Sequence, residues 1–228
     1  MSTSTLPSQM QTTSGATFRV LRRKNILIYH FLNKVRLSCF RVSSPCRTQF
    51  ISNDLLMMSI VFDLRATLAS PIRPLYTLAD LDAHIRARPY ETFTAFLSVI
   101  ILSMHIHPLF LRGQLMSTSC CGIPLFGSSP TATCKQCNRV NTLRTNPRVV
   151  GDLVDETGVV ERGKMVWSQR AWRQLLGRTE KELCGCDGEL MRYLERRISG
   201  LRVTLVVGWM GGEGEGMGGR LGVLSVMM

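Results

Sequence analysis

The sequence predicts a mainly β protein with a few helices: five strands around one core, a helix between the third and fourth, and a cysteine-rich insert. Three observations carry this. Leu201, Val203, Leu205, Val207 and Trp209 alternate strictly, the period of a strand with one buried side. Phe93–His105 is a long apolar run of strand length. Residues 115–143 hold four cysteines among Gly, Ser, Pro and Thr, with little core material.

Length and charge bound the rest. The chain has 228 residues, 45% of them hydrophobic, enough for one ordinary core but not for several full domains. It carries 28 Lys+Arg against 16 Asp+Glu, a formal charge of +12, which suits a polyanionic partner. Residues 1–70 hold nine basic and two acidic side chains (+7), and residues 71–228 hold nineteen and fourteen (+5). The chain therefore divides into a basic, poorly ordered N-terminal extension, 1–70, and a folded domain, 71–228. Residues 19–48 contain no acid and leave three readings open: a nucleic-acid-binding arm, a mitochondrial presequence, or an unspecialised tail. Phe93–Ile106, the best candidate membrane span, falls short of the roughly 18–20 residues required, so no membrane partner is expected.

The elements follow in order. Leu55–Phe62 is an apolar run that fits an extra strand. Thr77-x-x-Asp80 starts a helix with Leu78, Leu81 and Ile85 on one face, ended by Pro89. Phe93–His105 is the first barrel strand, and the cysteine insert follows it. Val149–Asp155 is the second strand, turned by Glu156-Thr157-Gly158 into a hairpin partner, Lys164–Trp167. Ser168 caps a helix that runs to Gly177, and a second helix fits 187–199 with Leu190, Leu194 and Ile198 on one face. Leu201–Trp209 and Leu221–Met227 are the last strands, joined by the glycine-rich loop Met210–Gly219. Five strands with a helix after the third is the arrangement of the OB-fold, a small Greek-key barrel.

The eight cysteines fall in pairs, Cys39 with Cys46, Cys120 with Cys121, Cys134 with Cys137, and Cys184 with Cys186. Without a visible secretory signal, the one true C-x-x-C, Cys134 to Cys137, points to metal binding or redox chemistry rather than cross-linking. Cys39, Cys46, Cys184 and Cys186 read as ordinary thiols. Catalysis finds no support, and the chain is not expected to be an enzyme. The four histidines have no nucleophile or carboxylate at a recognisable spacing, and a turn explains Asp152, Asp155 and Glu156 more simply than a nuclease does.

The arrangement resembles the C-terminal DNA-binding domain of the replication protein A large subunit, including fungal and meiosis-specific relatives, over roughly residues 90–228. The resemblance rests on Cys134-Lys-Gln-Cys137, on Arg148-Val-Val-Gly-Asp-Leu-Val-Asp-Glu-Thr-Gly158, on Trp167, on Ala171-Trp-Arg-Gln-Leu-Leu-Gly-Arg-Thr179, and on Leu201-Arg-Val-Thr-Leu205 with the final strand. It implies single-stranded DNA binding in an OB groove, in replication, repair or recombination, with a zinc ribbon between the first two strands. It also implies a nuclear location and other OB-fold subunits as partners. Two rivals stand beside it: a degenerate OB-fold that binds a protein, and a mitochondrial single-strand binder.

For zinc, Cys134 and Cys137 make an intact second knuckle. The first is irregular, because Cys121-Gly122 looks like its second half while Thr118 stands where its partner belongs. Cys120 beside Cys121, or His105 and His107, are the substitutes. A degenerate ribbon and a redox C-x-x-C remain open. Candidate phosphate contacts are Lys135, Arg139, Arg144, Arg148, Lys164, Arg202 and Arg220, and candidate stacking platforms are Phe126, Trp167, Trp172 and Trp209, each Trp also fitting a core position. Arg192, Arg196 and Arg197 read as a solvated helix face. Glu213 and Glu215 would repel phosphate, so the glycine loop is no phosphate loop.

Overall fold

The computed structural model describes residues 62–71, 73–211 and 219–228. The basic stretch 19–48, Cys39, Cys46, residues 55–61, and Glu213 and Glu215 lie outside them.

In chain order the elements are α1 (Leu64–Ala69), β1 (Leu75–Tyr76), α2 (Leu78–Ala87), β2 (Phe93–Ile101), α3 (Ile106–Leu111), β3 (Met116–Cys120), β4 (Ile123–Gly127), β5 (Thr131–Thr133) and β6 (Val140–Thr142). They continue with β7 (Arg144–Thr145), β8 (Leu153–Val154), β9 (Val159–Val160), β10 (Val166–Trp167), α4 (Gln169–Leu176), α5 (Glu180–Cys184), α6 (Gly188–Ile198), β11 (Arg202–Met210) and β12 (Arg220–Met227).

The main sheet has seven strands in the order β10-β12-β11-β2-β8-β9, with β1 parallel to β2. Its spine is β11, antiparallel to β2 along Arg202↔Ile100 to Trp209↔Phe93 and antiparallel to β12 on its other side. The two ends of the path, β9 and β10, are consecutive in the chain, so residues 161–165 link them. The sheet curls, and its order is compatible with an OB-like barrel.

One face of the sheet packs on the helices. Leu97, Ile101, Val203, Leu205 and Val207 share a core with Trp172 and Leu175 of α4 and with Leu194 and Ile198 of α6. Helix α4 forms where local signals place it. The Ser168 hydroxyl accepts the Ala171 N–H, and Gly177 closes the helix at φ 67°, a left-handed conformation that glycine adopts without a Cβ penalty. Helix α2 carries the capping box that Thr77 and Asp80 predict.

Four expectations need correction. First, the alternation along β11 holds only at its start. Val206, Val207, Gly208 and Trp209 are all buried, because Phe62 lies on the second face with Phe96, Val206 and Leu224. A Cβ at Gly208 would come within 2.7 Å of the Phe62 ring, so glycine leaves the ring room against the sheet. Second, the described end of the 55–62 run is no strand. Phe62 leads into helix α1, capped by Asp63. Third, β2 ends at Ile101, short of His105, and the chain turns instead into α3. Fourth, Lys164–Trp167 is not the hairpin partner of the second strand. Val159–Val160 takes that place against Leu153–Val154, while Val166–Trp167 runs parallel to β12. The second strand itself shortens, because Pro147–Val149 forms a 3-10 turn. On α6 the buried face is Met191, Leu194 and Ile198, with Leu190 at its margin.

The insert forms a three-stranded sheet, β4-β3-β7, and the hairpin β5-β6. It contributes more core than expected, since Leu115, Met116 and Leu143 are buried at its base. Glu180 ties it to the helices. Its carboxylate accepts from the Thr145 N–H at 3.2 Å, from the Arg144 guanidinium at 3.4 Å and from the Gln169 amide at 3.1 Å.

Candidate metal centre and basic surface

The cysteine centre begins with two tight turns. Strand β3 ends at Cys120, paired with Ile123, so Cys121 and Gly122 are the two turn residues of a hairpin. Both have positive φ, 52° and 75°, the pattern of a type I′ turn. In a continuing strand, Cys121 would point away from Cys120. The left-handed turn brings it round, and the two sulphurs lie 3.8 Å apart. The cost is a non-glycine residue in a region that L side chains seldom adopt. The second knuckle sits at the tip of the β5-β6 hairpin. The Asn138 N–H donates to the Cys134 carbonyl, the Cys134 N–H donates to the Arg139 carbonyl, and Asn138 at φ 57° takes the place a glycine often fills.

The sulphurs of Cys120, Cys121, Cys134 and Cys137 all lie within 4.8 Å of one another, and Cys120 is 3.4 Å from Cys137. A tetrahedron of thiolates about 2.3 Å from zinc has edges of about 3.8 Å, so the set fits one such ion with small adjustments. The Arg139 N–H, followed by the Cys120 and Cys121 thiols, holds the Cys137 thiol down to about 7. Cys137 and then Cys120 push the Cys121 thiol up to about 12, and Cys137 is also the main cause of a raised Cys120. Cys137 thus takes charge more readily than Cys120 and Cys121, whose protons a bound divalent cation would displace. The histidines are not part of the set. The His107 N–H bonds Glu195 at 2.8 Å, and His105 Nε2 lies 3.3 Å from the Ser103 hydroxyl. Cys184 ends helix α5 and Cys186 follows it, both half-buried thiols. Burial raises Cys184, and Cys186 donates to the Glu182 carbonyl.

The basic candidates divide into groups. Lys135 and Arg139 are exposed beside the cysteine centre. Arg144 is held by Glu180 at the root of the insert. Arg148 and Lys164 are exposed and flank one turn, since a Cβ at Gly163 would lie 3.4 Å from the Arg148 side chain. The parallel register of β10 and β12 sets Lys164 at the end where Arg220 starts its strand. Arg202 is exposed, with its guanidinium 3.4 Å from Ser98 Oγ. It stands at the opposite end of β11 from Arg220, about 26 Å away at 3.3 Å per residue, so these two do not share a site.

The tryptophans are corrected to core residues. Trp167 and Trp209 are 3% and 6% exposed. Trp167 stacks on Trp172 at 5.0 Å, and the Trp209 indole donates to the Pro89 carbonyl. Closed off in this way, neither ring offers a face to a base. Phe126 does remain open on β4. Sequence reasoning missed an exposed aromatic, Tyr90, whose backbone packs against Gly211 at the mouth of the glycine loop. It also missed Arg112 and Arg162. Both are exposed, and the Arg162 Nε donates to the Arg148 carbonyl at 2.6 Å.

No helix among the described residues is long and apolar enough to cross a membrane. No family model matches the chain, and no curated protein matches it. Among solved structures, the chain is similar to one in a replication protein A heterotrimer bound to ssDNA, with a TM-score of 0.45 and 11% identity. The match covers 68% of this chain and 36% of that one, so the chain spans about a third of its length.

Proposed function

We propose that this chain binds single-stranded nucleic acid along an OB-like barrel and carries a structural zinc ion on its inserted hairpins. The fold reading takes β9 and β10 as two halves of one third strand, broken by the 161–163 turn. The five barrel strands are then β2, β8, β9 with β10, β11 and β12, with α4, α5 and α6 between the third and fourth. This is the order a five-stranded Greek-key barrel needs in order to close. The cysteine insert falls between the first and second strands.

The observation that carries the binding reading is a set of exposed cations. Arg148, Arg162 and Lys164 crowd the β8–β10 segment, and among the described residues none has an ion-pair partner. Burial of the tryptophans shifts the weight from stacking to charge. The site binds and does no chemistry, for the carboxylates nearest a nuclease pattern are otherwise engaged. Asp155 accepts N–H groups from Leu78, Thr157 and Gly158. The nucleus is the compartment this role implies, and other OB-fold subunits are its natural partners.

Titration of the full chain with labelled single- and double-stranded oligonucleotides at two salt concentrations tests the reading. Preference for the single strand, with affinity falling steeply in salt, is the expected result. Failure to bind any single strand while folded would instead favour a protein-docking role. The exposed apolar side chains Ile123, Phe126 and Val140 on the insert are what that second reading rests on.

A further inference from the structure

We infer that Arg112, Arg148 and Arg162 form one cradle for adjacent phosphates of a single-stranded nucleic-acid backbone. This rests on the binding reading above and names the residues that make first contact.

The three arginines are distant in sequence; a hydrogen bond joins Arg162 to Arg148, and Arg112 ends a short helix whose start is bonded to the same segment. The residues that lead into helix α3 are bonded to the segment that follows Arg148. The His105 N–H donates to the Val149 carbonyl at 2.7 Å, and the Gly151 N–H donates to Ser103 at 2.9 Å. A Cβ at Gly151 would come within 3.3 Å of His105 Nε2, so helix and segment pack without a side chain between them. Arg112 caps the far end of this helix. On the other side the 161–164 turn closes with the Lys164 N–H on the Glu161 carbonyl. The Arg162 N–H donates to Asp152 at 2.9 Å and its Nε to the Arg148 carbonyl at 2.6 Å.

The guanidinium of Arg162 is therefore held at one nitrogen. Among the described residues its two terminal nitrogens have no hydrogen-bond or ion-pair partner. That leaves the planar fork that suits a phosphate bidentately. Arg112 and Arg148 likewise have no ion pair among the described residues. Burial, then the charges of Arg148 and Arg112, pull the Arg162 guanidinium below its usual value, and Asp152 only partly offsets them. Like charges that Asp152 only partly offsets cost the fold stability. A bound polyanion would turn that repulsion into attraction.

The test uses the full chain, fluorescein-labelled oligothymidine and fluorescence anisotropy over a salt series. The variants are Arg112→Gln, Arg148→Gln, Arg162→Gln and their combination, with Arg196→Gln on α6 as control. Each single variant should weaken binding about tenfold. Each should also flatten the salt slope by about 0.7, and the triple variant by about 2. Arg112→Gln and Arg148→Gln should melt no lower than the parent, because repulsion is relieved, and the control should bind as the parent does. A folded triple variant with parental affinity and slope would overturn the cradle and leave the binding reading to other residues. If the parent itself fails to bind oligothymidine, the binding reading falls, and sodium tripolyphosphate decides the cradle separately. A rise in parental melting temperature that the triple variant lacks supports it, and no rise overturns it.

Discussion

The Asp155 carboxylate accepts the backbone N–H of Leu78 at 2.6 Å, across 77 residues of sequence. Beside it, the Thr157 hydroxyl accepts the Ala79 N–H at 3.0 Å. The capping box of α2 serves Thr77 and Asp80 internally, so this distant turn satisfies the two first-turn donors the box leaves open. Asp155→Ala removes the acceptor for Leu78 and for its own turn. It should cost about 2–3 kcal/mol, because hydrogen bonds to a charged group are the stronger kind. At about 2–4 °C per kcal/mol for a chain of this size, thermal melting should fall by roughly 5–10 °C. Asp155→Asn keeps one acceptor and should lose less.

Phe62 should be a stability residue despite its place at the edge of the basic N-terminal region. Its ring is 8% exposed on the second face of the sheet. Phe62→Ala should cost about 3–5 kcal/mol, the range for truncating a buried aromatic. Gly208→Ala should be destabilising too, through the ring it would strike. Urea denaturation of both variants checks this, and parental midpoints would refute the packing.

Metal analysis of purified protein should find about one zinc per chain, as one tetrahedral site requires. Cys134→Ser should abolish it, and a chelator should open residues 115–143 to protease before the main sheet. Zinc that survives loss of both Cys134 and Cys137 would exclude this centre.

His105 should make the fold acid-sensitive. Burial first, then Arg162, lower its pKa, while Glu195 and Asp152 oppose the shift. The unfolded chain therefore takes up its proton first as pH falls, starting near the ordinary value of about 6.5. Stability from this group is complete above that pH and declines below it, down to the lowered folded pKa. His105→Gln should flatten the melting profile in that window. An unchanged profile would show that other groups set the acid response.

What could be read in advance was local. Ser168 and Gly177 bound α4 because caps act within a few residues, and β2, β11 and β12 followed from apolar runs and alternation. The pairing of Val166–Trp167 with Gly222–Val223 was not legible, since parallel partners 56 residues apart leave no short-range signature. The four cysteines were named, but spacing arithmetic could not supply a turn that brings neighbouring thiols to one side. Arg112 and Arg162 sit next to loops with no pattern, and only tertiary contacts gather them. The tryptophans fitted core and platform alike, because an aromatic at a strand end looks the same whether covered or open.

The terminal strands of the main sheet, β1, β9 and β10, are each two residues long. Their brevity bears on how the protein behaves in a crowded solution. Growth of a sheet from one molecule to the next needs a run of unpaired backbone donors and acceptors, and two residues expose too few to seed it. The longer strands are paired along one side and partly along the other: β2 by β11, with β1 and β8 over parts of its second side, and β12 by β11, with β10 and then the Ser168 and Gln174 side chains on its second side. Among the described residues the main sheet is thus guarded against edge-to-edge aggregation, and a protein partner that adds a strand would find little rail on it to extend. Association at the main sheet should proceed through side chains on faces and loops instead, and the five-residue edge strand β4 of the insert is the longer rail.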